Sequence, residues 1–122
     1  MSHAILVVDD NEALRENLAE CLSLEGYRVE EAPDGEAALE RLARDPLPDV
    51  VIVDLVLPRM DGRELVARIR ADPRLSRVRL VISTGLTLGA DARLGADHVL
   101  QKPYGMDELI AIVRTACAEL AA

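Results

Sequence analysis

The most constraining feature of this sequence is a short apolar run that ends in a carboxylate. Residues 50–54 are VVIVD, and Pro58 and the Asp61-Gly62 pair follow soon after. An unbroken run rich in Val and Ile predicts a β-strand that is buried on both faces, as in a parallel sheet. Because turn residues end this run, we predict that Asp54 lies at the carboxyl end of a buried strand, where ligands bind in open α/β sheets. A buried carboxylate needs a cation beside it.

Composition limits the class of protein. The chain has 122 residues, of which 50% are hydrophobic, and a formal net charge of -8. This length predicts one domain over residues 1–122, and the acidic balance argues against direct contact with nucleic acid. Neither a long apolar span nor a signal segment is found in the sequence, so we expect a cytoplasmic protein that does not contact a membrane. Cys21 and Cys117 lie in helical patterns and are expected to be reduced thiols that face the core.

Five short strand patterns alternate with helical patterns along the chain. The predicted strands are residues 4–8, 28–32, 50–54, 79–83 and 98–101, and the second resembles an exposed edge strand because polar and apolar residues alternate. This alternation predicts an α/β fold, in which right-handed crossovers connect a doubly wound parallel sheet with helices on both faces. We expect His98, at the start of the fifth strand, to face solvent.

Local signals predict where the helices begin and end. Asn11 is expected to cap the first helix, and the second is expected to run from Asp34 to the Asp45-Pro46 pair. The third helix is predicted from about residue 62 to residue 71. Asp61 and Glu64 have the spacing of a capping box at its start. The last helix is expected to begin after Gly105.

Four of the five strands end in polar residues at the same edge of the predicted sheet. In a flavodoxin-like strand order, 2-1-3-4-5, the first and third strands are neighbours, so Asp9, Asp10 and Asp54 would meet. Three carboxylates raise each other's pKa unless a cation joins them, and an all-oxygen site suits Mg²⁺ or Mn²⁺. With the ammonium of Lys102 and the hydroxyl of Thr84, this set can hold a phosphoryl group that a carboxylate attacks.

These residues, in this order, resemble the response-regulator receiver domain of two-component signalling, in particular the chemotaxis-type single-domain receivers. The similarity covers nearly the whole chain. Besides the acidic pair, it includes VVIVDLVLPRMDG, VISTG, QKPY and the Gly95-Ala96-Asp97 lead into the fifth strand. The resemblance implies the flavodoxin-like (βα)5 fold with strand order 2-1-3-4-5.

The resemblance also implies roles for the acidic residues. Asp54 would accept a phosphoryl group from a histidine kinase, a histidine phosphotransfer protein or a small acyl phosphate. Asp10 would bind Mg²⁺ directly and Asp9 largely through water, and the main-chain carbonyl of Val56 would complete the protein ligands. Such a protein is a signalling phosphoacceptor, which catalyses only its own phosphotransfer and slow dephosphorylation.

Roles for the other site residues follow from the same resemblance. Lys102 would pair with the phosphoryl oxygens, and Thr84 would donate a hydrogen bond to one of them and so report the modification. Gly85 matches the small residue that leaves room for the phosphoryl group.

The sequence departs from the receiver pattern in two places. Val99 stands where similar receivers carry Tyr or Phe. Lys102 follows Thr84 by 18 positions (102 − 84 = 18), about one helical turn fewer than usual. We therefore expect a short fourth helix over residues 85–95 that phosphorylation orders, and a downstream partner that binds the face between the fourth helix and the last helix. The alternative is a pseudo-receiver, an interaction module that acts without phosphate.

Overall fold

The computed structural model describes residues 3–86 and 95–120 and contains a five-stranded parallel sheet of order 2-1-3-4-5. The predicted α/β, flavodoxin-like fold is confirmed. The strands are β1 (Ala4–Val8), β2 (Arg28–Ala32), β3 (Val50–Asp54), β4 (Arg79–Thr84) and β5 (His98–Gln101). The α-helices are α1 (Glu12–Leu24), α2 (Gly35–Leu42), α3 (Gly62–Ala71) and α4 (Met106–Leu120), and a 3₁₀ turn covers Pro73–Leu75.

A short fourth helix is expected over residues 85–95, and residues 87–94 of that range lie outside the described part of the chain. The helix α4 of the structure is therefore the last helix of the sequence prediction, and it begins directly after Gly105 as expected.

Both faces of the sheet are covered, because successive strand residues point to opposite sides. On one side, Leu6, Val51 and Ile82 pack against apolar residues of α2 and α3. On the other side, Ile52 and Val81 pack against α1 and α4. The continuous run in β3 is fully buried, which confirms the prediction of a strand covered on both faces. The edge strand β2 is mostly exposed, as its alternating pattern predicts.

Side chains cap the helices largely as the sequence predicts. Asn11 and Asp34 accept hydrogen bonds from backbone N–H groups in the first turns of α1 and α2. Asp61 caps α3 by accepting the N–H of Arg63 at 2.8 Å. The capping-box prediction for Glu64 is wrong, because its carboxylate pairs instead with Arg68 one turn later, at 2.7 Å.

Helix α2 ends three residues before the boundary predicted at Asp45-Pro46. Its last helical residue is Leu42. The guanidinium of Arg41 donates to the main-chain carbonyls of Arg44 at 3.2 Å and of Pro46 at 2.8 Å. These bonds satisfy carbonyl groups that follow the helix, so the chain turns toward β3 early.

The end of the sheet opposite Asp54 is held by an ion-pair network around Asp97. Its carboxylate accepts hydrogen bonds from Arg70, Arg79 and the N–H of Leu80, each at 2.8 Å. The expectation that His98 faces solvent is wrong, because its Nε2 lies 3.0 Å from a carboxylate oxygen of Glu119 in α4. This network ties α3, β4 and the start of β5 together.

We predict that Gly62→Ala destabilises the fold by about 3 kcal/mol, because overpacking against backbone atoms cannot relax easily. A Cβ at this position would lie 2.5 Å from both the carbonyl oxygen of Asp54 and the Cα of Leu55. Gly105→Ala is the control, since nothing lies within 4 Å of a Cβ there. Chemical denaturation measures both variants, and equal stability would show that the loop after β3 tolerates a side chain.

The two thiols provide a prediction about pH. Cys117 is buried, and burial, followed by the charge of Asp49, raises the pKa of its thiol to about 11, from 9.0. Cys21 is only half-buried, so the expectation that both thiols face the core is confirmed for Cys117 alone. In a Cys21→Ala protein, we expect a thiol reagent to label Cys117 at least about tenfold more slowly at pH 8 than after unfolding.

The raised pKa of Cys117 also fixes the sign of its effect on stability. The neutral thiol favours the folded state below pH 9, and this contribution is lost as pH rises from 9 toward 11. The stability advantage of wild type over Cys117→Ala should therefore shrink across this interval. An advantage that grows with pH would contradict the assignment.

Candidate functional site

Asp54 is the last residue of β3 and is buried at the carboxyl edge of the sheet. Its Oδ1 accepts a hydrogen bond from the N–H of Val56 at 2.9 Å, and its Oδ2 lies 2.9 Å from Nζ of Lys102. Both oxygens therefore have a donor, which offsets much of the cost of burying the carboxylate. The side chain is fixed by these contacts before any ligand arrives.

The predicted acidic cluster is present. Asp9 and Asp10 directly follow β1, which pairs with β3 in parallel so that Val8 lies opposite Val53. One carboxylate oxygen from each of Asp9, Asp10 and Asp54 lies within 4.8 Å of the others. Asp9 is buried, whereas Asp10 is exposed. This oxygen-only donor set fits a hard divalent cation such as Mg²⁺ and does not resemble a zinc site.

Asp9 is held at the base of this cluster. Its carboxylate accepts the N–H of Asn11 at 2.9 Å, and its main-chain carbonyl accepts a hydrogen bond from the guanidinium of Arg15. The pKa of Asp9 is raised, chiefly by burial, while the Asn11 N–H and the charge of Lys102 oppose the rise. The charges of Asp54 and Asp10 contribute least, so burial outweighs the carboxylate repulsion on which the sequence argument relied.

Lys102 provides the positive charge of the site. Its Nζ lies 2.9 Å from a carboxylate oxygen of Asp54 and 3.6 Å from one of Asp9. Its main-chain N–H donates to the main-chain carbonyl of Thr84 at 2.7 Å. Burial alone would lower the pKa of Lys102. The hydrogen bond to Asp54 and the charges of Asp54 and Asp9 outweigh burial, and the pKa is raised. The ammonium therefore stays charged among the acids.

The turn after β4 brings a hydroxyl to the same edge. Thr84 is fully buried, and its Oγ1 accepts the N–H of Leu86 at 3.0 Å. Gly85 borders open space, since nothing lies within 4 Å of a Cβ built there. Val56 and Leu86, each two residues beyond a site residue, are exposed by 59% and 37%. Two exposed aliphatic side chains thus lie close in sequence to site residues.

Sequence reasoning missed the contacts of two residues near this edge. Arg59, in the loop after β3, has a φ of 65°, a conformation that costs a residue with a side chain about 1 kcal/mol or more. Its guanidinium lies 3.3 Å from the carboxylate of Asp34, the cap of α2. Gln101, at the end of β5, binds the turn after β4 through its side chain. Neither contact follows a periodic pattern, so no sequence signal indicates it.

Comparison with known proteins identifies the family. The response regulator receiver domain family matches residues 5–114, so the chain belongs to that family. Response regulator MprA of Mycobacterium ulcerans is 42% identical over 118 residues, which cover 93% of this chain and 50% of that protein. The chain thus spans about half the length of the curated relatives it matches. It carries the receiver domain of a response regulator of two-component signalling.

Solved structures agree with this assignment. A response regulator receiver domain from Methylobacillus flagellatus matches with a TM-score of 0.84 and 29% identity, over 95% of this chain and 99% of that one. Response regulator protein TrrA from Thermotoga maritima, solved in complex with Mg²⁺ and BeF, matches with a TM-score of 0.84 and 32% identity over the same shares. Among the described residues, no helix is long and apolar enough to cross a membrane.

Proposed function

We propose that Asp54 accepts a phosphoryl group in a Mg²⁺-dependent reaction and that a partner protein reads the change. The observation that carries this proposal is the contact of Lys102 with Asp54 at 2.9 Å, beside two further acids within 4.8 Å. A lone structural carboxylate needs one cation, whereas this site holds three carboxylates and one ammonium. The excess negative charge leaves a place for a divalent cation.

The donor would be a phosphohistidine of a histidine kinase or histidine phosphotransfer protein, or a small acyl phosphate. A carboxylate oxygen of Asp54 forms a bond to phosphorus as the bond between phosphorus and the donor breaks. From phosphohistidine, the phosphorus–nitrogen bond breaks, and the imidazole leaves with the electron pair and takes up a proton. From an acyl phosphate, the phosphorus–oxygen bond breaks and a carboxylate leaves with the electron pair. Lys102 then offsets the negative charge on the phosphoryl oxygens of the acyl phosphate.

Asp9, Asp10, Asp54 and the carbonyl of Val56 would hold Mg²⁺ or Mn²⁺. The cation would supply charge neutralisation between the phosphoryl oxygens and the carboxylates. Asp10, which is exposed, is suited to direct ligation. Asp9 already accepts the N–H of Asn11, which suits contact through water.

Thr84 and Gly85 would also lie next to the phosphoryl group. The hydroxyl of Thr84 accepts the N–H of Leu86, so its proton is available to donate. The open space at Gly85 leaves room for phosphoryl oxygens.

Two partner surfaces follow from this assignment. A cavity of about 480 Å³ opens beside the site and suits an apolar part of the donor protein; it is lined by Leu14, Gly85, Lys102, Pro103, Tyr104 and Met106. The downstream partner would bind the face beside α4, together with the segment that precedes β5.

Val99, which packs partly buried against the core, favours the alternative of a module that acts without phosphate.

We predict that Asp54 is the modified residue. With Mg²⁺ and acetyl phosphate, wild type should gain one phosphoryl group in intact-mass measurements, and Asp54→Asn should gain none. Asp61→Asn, which changes an exposed acid in the loop after β3, is the control and should be modified like wild type. Unmodified wild type at saturating donor would contradict the proposal, whereas a modified Asp54→Asn would contradict only the residue assignment.

We also predict that Asp10 contributes to the Mg²⁺ site at a cost in stability. Without metal, Asp10→Asn should be more stable than wild type, because one of three neighbouring negative charges is removed. Mg²⁺ at a hundredfold excess over Kd should stabilise wild type by about 2.7 kcal/mol and Asp10→Asn much less. Thermal denaturation with and without Mg²⁺ measures both effects. If Mg²⁺ raises the melting temperature of the two proteins equally, Asp10 does not belong to the Mg²⁺ site.

Slow hydrolysis of the phosphoryl group is a further expectation. Val56 and Leu86 exclude water and offer no group that orients an attacking water molecule. The double variant Val56→Asn, Leu86→Glu should shorten the phosphoryl lifetime at least about tenfold. Leu24→Glu, at an exposed leucine in the last turn of α1, is the control and should leave the lifetime unchanged. If wild type loses phosphate as fast as the double variant, the shielding argument fails.

A further inference from the structure

The side chain of Gln101 bridges the turn that carries Thr84. Its Nε2 donates one hydrogen bond to the carbonyl of Thr84 at 3.1 Å and another to the carbonyl of Leu86 at 2.9 Å. Both partners are carbonyl oxygens, which can only accept, so the amide nitrogen of Gln101 must face them. One NH₂ group thus holds two points of the turn after β4.

Beside this bridge, a second set of hydrogen bonds connects the same two strands, β4 and β5. Thr84 and Gln101 are partners in the parallel pairing of β4 with β5. The carbonyl of Thr84 also accepts the N–H of Lys102 at 2.7 Å. It therefore accepts from the main chain of one site residue and from the side chain of Gln101. Thr84, which bears the hydroxyl, and Lys102, which bears the ammonium, are therefore hydrogen-bonded through their main chains at the edge of the site.

The turn couples the position of the Gln101 side chain to the orientation of the Thr84 hydroxyl. Leu86, held at its carbonyl by Gln101, donates its own N–H to Oγ1 of Thr84. This bond occupies an acceptor position of the hydroxyl and directs its proton away from Leu86. Gly85, between them, has no side chain to restrict the turn, and Leu86 is partly exposed. The Gln101 side chain supplies a restraint that glycine does not.

We propose that Gln101 is a positioning residue, which holds the Thr84–Leu86 turn so that the Thr84 hydroxyl is presented to a phosphoryl group on Asp54. This inference rests on the proposed phosphoacceptor function and extends it to a residue to which the receiver resemblance gives no role. Gln101 does not touch the reacting atoms in this role. It acts through Leu86 and Thr84.

The test compares Gln101→Met and Gln101→Glu with wild type. Methionine keeps the length of the side chain without an N–H donor, and glutamate places an acceptor against two carbonyl oxygens. With Mg²⁺ present, both variants should bind beryllofluoride, a mimic of the phosphoryl group, about five- to tenfold more weakly than wild type, as the loss of positioned hydrogen bonds predicts. In the unmodified protein, both should also speed hydrogen exchange at the amide of Leu86.

A double-mutant cycle separates positioning from a general structural effect. Thr84→Val removes the hydroxyl and keeps the volume of the side chain. If Gln101 acts through that hydroxyl, Gln101→Met should cause no further loss of beryllofluoride affinity in the Thr84→Val background. The same loss in both backgrounds would overturn the positioning role.

The outcomes also separate this inference from the proposed function. If wild type with Mg²⁺ binds no beryllofluoride, the phosphoacceptor function and the positioning role are both overturned. If wild type binds it and Gln101→Met binds equally well, only the positioning role is overturned. If hydrogen exchange at the amide of Leu86 is unchanged in Gln101→Met, Gln101 does not restrain the turn.

Discussion

The contact between the ammonium of Lys102 and the carboxylate of Asp54 is the interaction on which the site depends. It joins the ends of β3 and β5, which are not neighbours in the sheet, because β4 lies between them. The ammonium therefore reaches across the end of β4, beside Thr84, and the three strand ends form one site. Removing the charge would leave Asp9 and Asp54 buried without their cation, a state that proteins avoid by shifting pKa or rearranging.

This arrangement explains how the protein stabilises a costly acidic cluster with its own residues. The raised pKa of Asp9 shows that burial acts against its charged form, while the raised pKa of Lys102 shows that the acids stabilise the ammonium. The lysine is thus the internal counterion of the cluster. In the proposed reaction a divalent cation would offset the charge that the phosphoryl group adds, and Lys102 would exchange a carboxylate oxygen for phosphoryl oxygens. The charge balance of the site changes little, so the reaction can proceed without rearranging the sheet.

The sequence predicted the fold and the clustered residues well because both follow from regular patterns. Short apolar runs mark the strands, and the carboxyl ends of parallel strands share one edge, so Asp9, Asp10, Asp54, Thr84 and Lys102 could be placed together. Bonds from side chains to distant main-chain groups follow no such pattern. The contacts of Arg41, Asp97 and Gln101 depend on the final backbone path, and the sequence gives no spacing from which to infer them. His98 was misplaced for the same reason, since its partner Glu119 belongs to the far end of α4.

The two ends of β5 are held in different ways, and this difference bears on how a signal would leave the site. At its start, the Asp97 network ties the chain to Arg70 and Arg79 through charge-assisted hydrogen bonds, which are the stronger kind. At its end, Gln101 and the N–H of Lys102 bind Thr84 and the turn that follows it. A displacement of Thr84 toward a phosphoryl group would pull on the end of β5 while its start stays fixed. Val99, in the middle of this short strand, is stiff at χ1 and partly buried, so it offers no rotating ring to carry the change. Because the bonds of Gln101 hold the turn after β4 to the end of β5, the two would move together, and the change would emerge at the exposed turn beside Leu86.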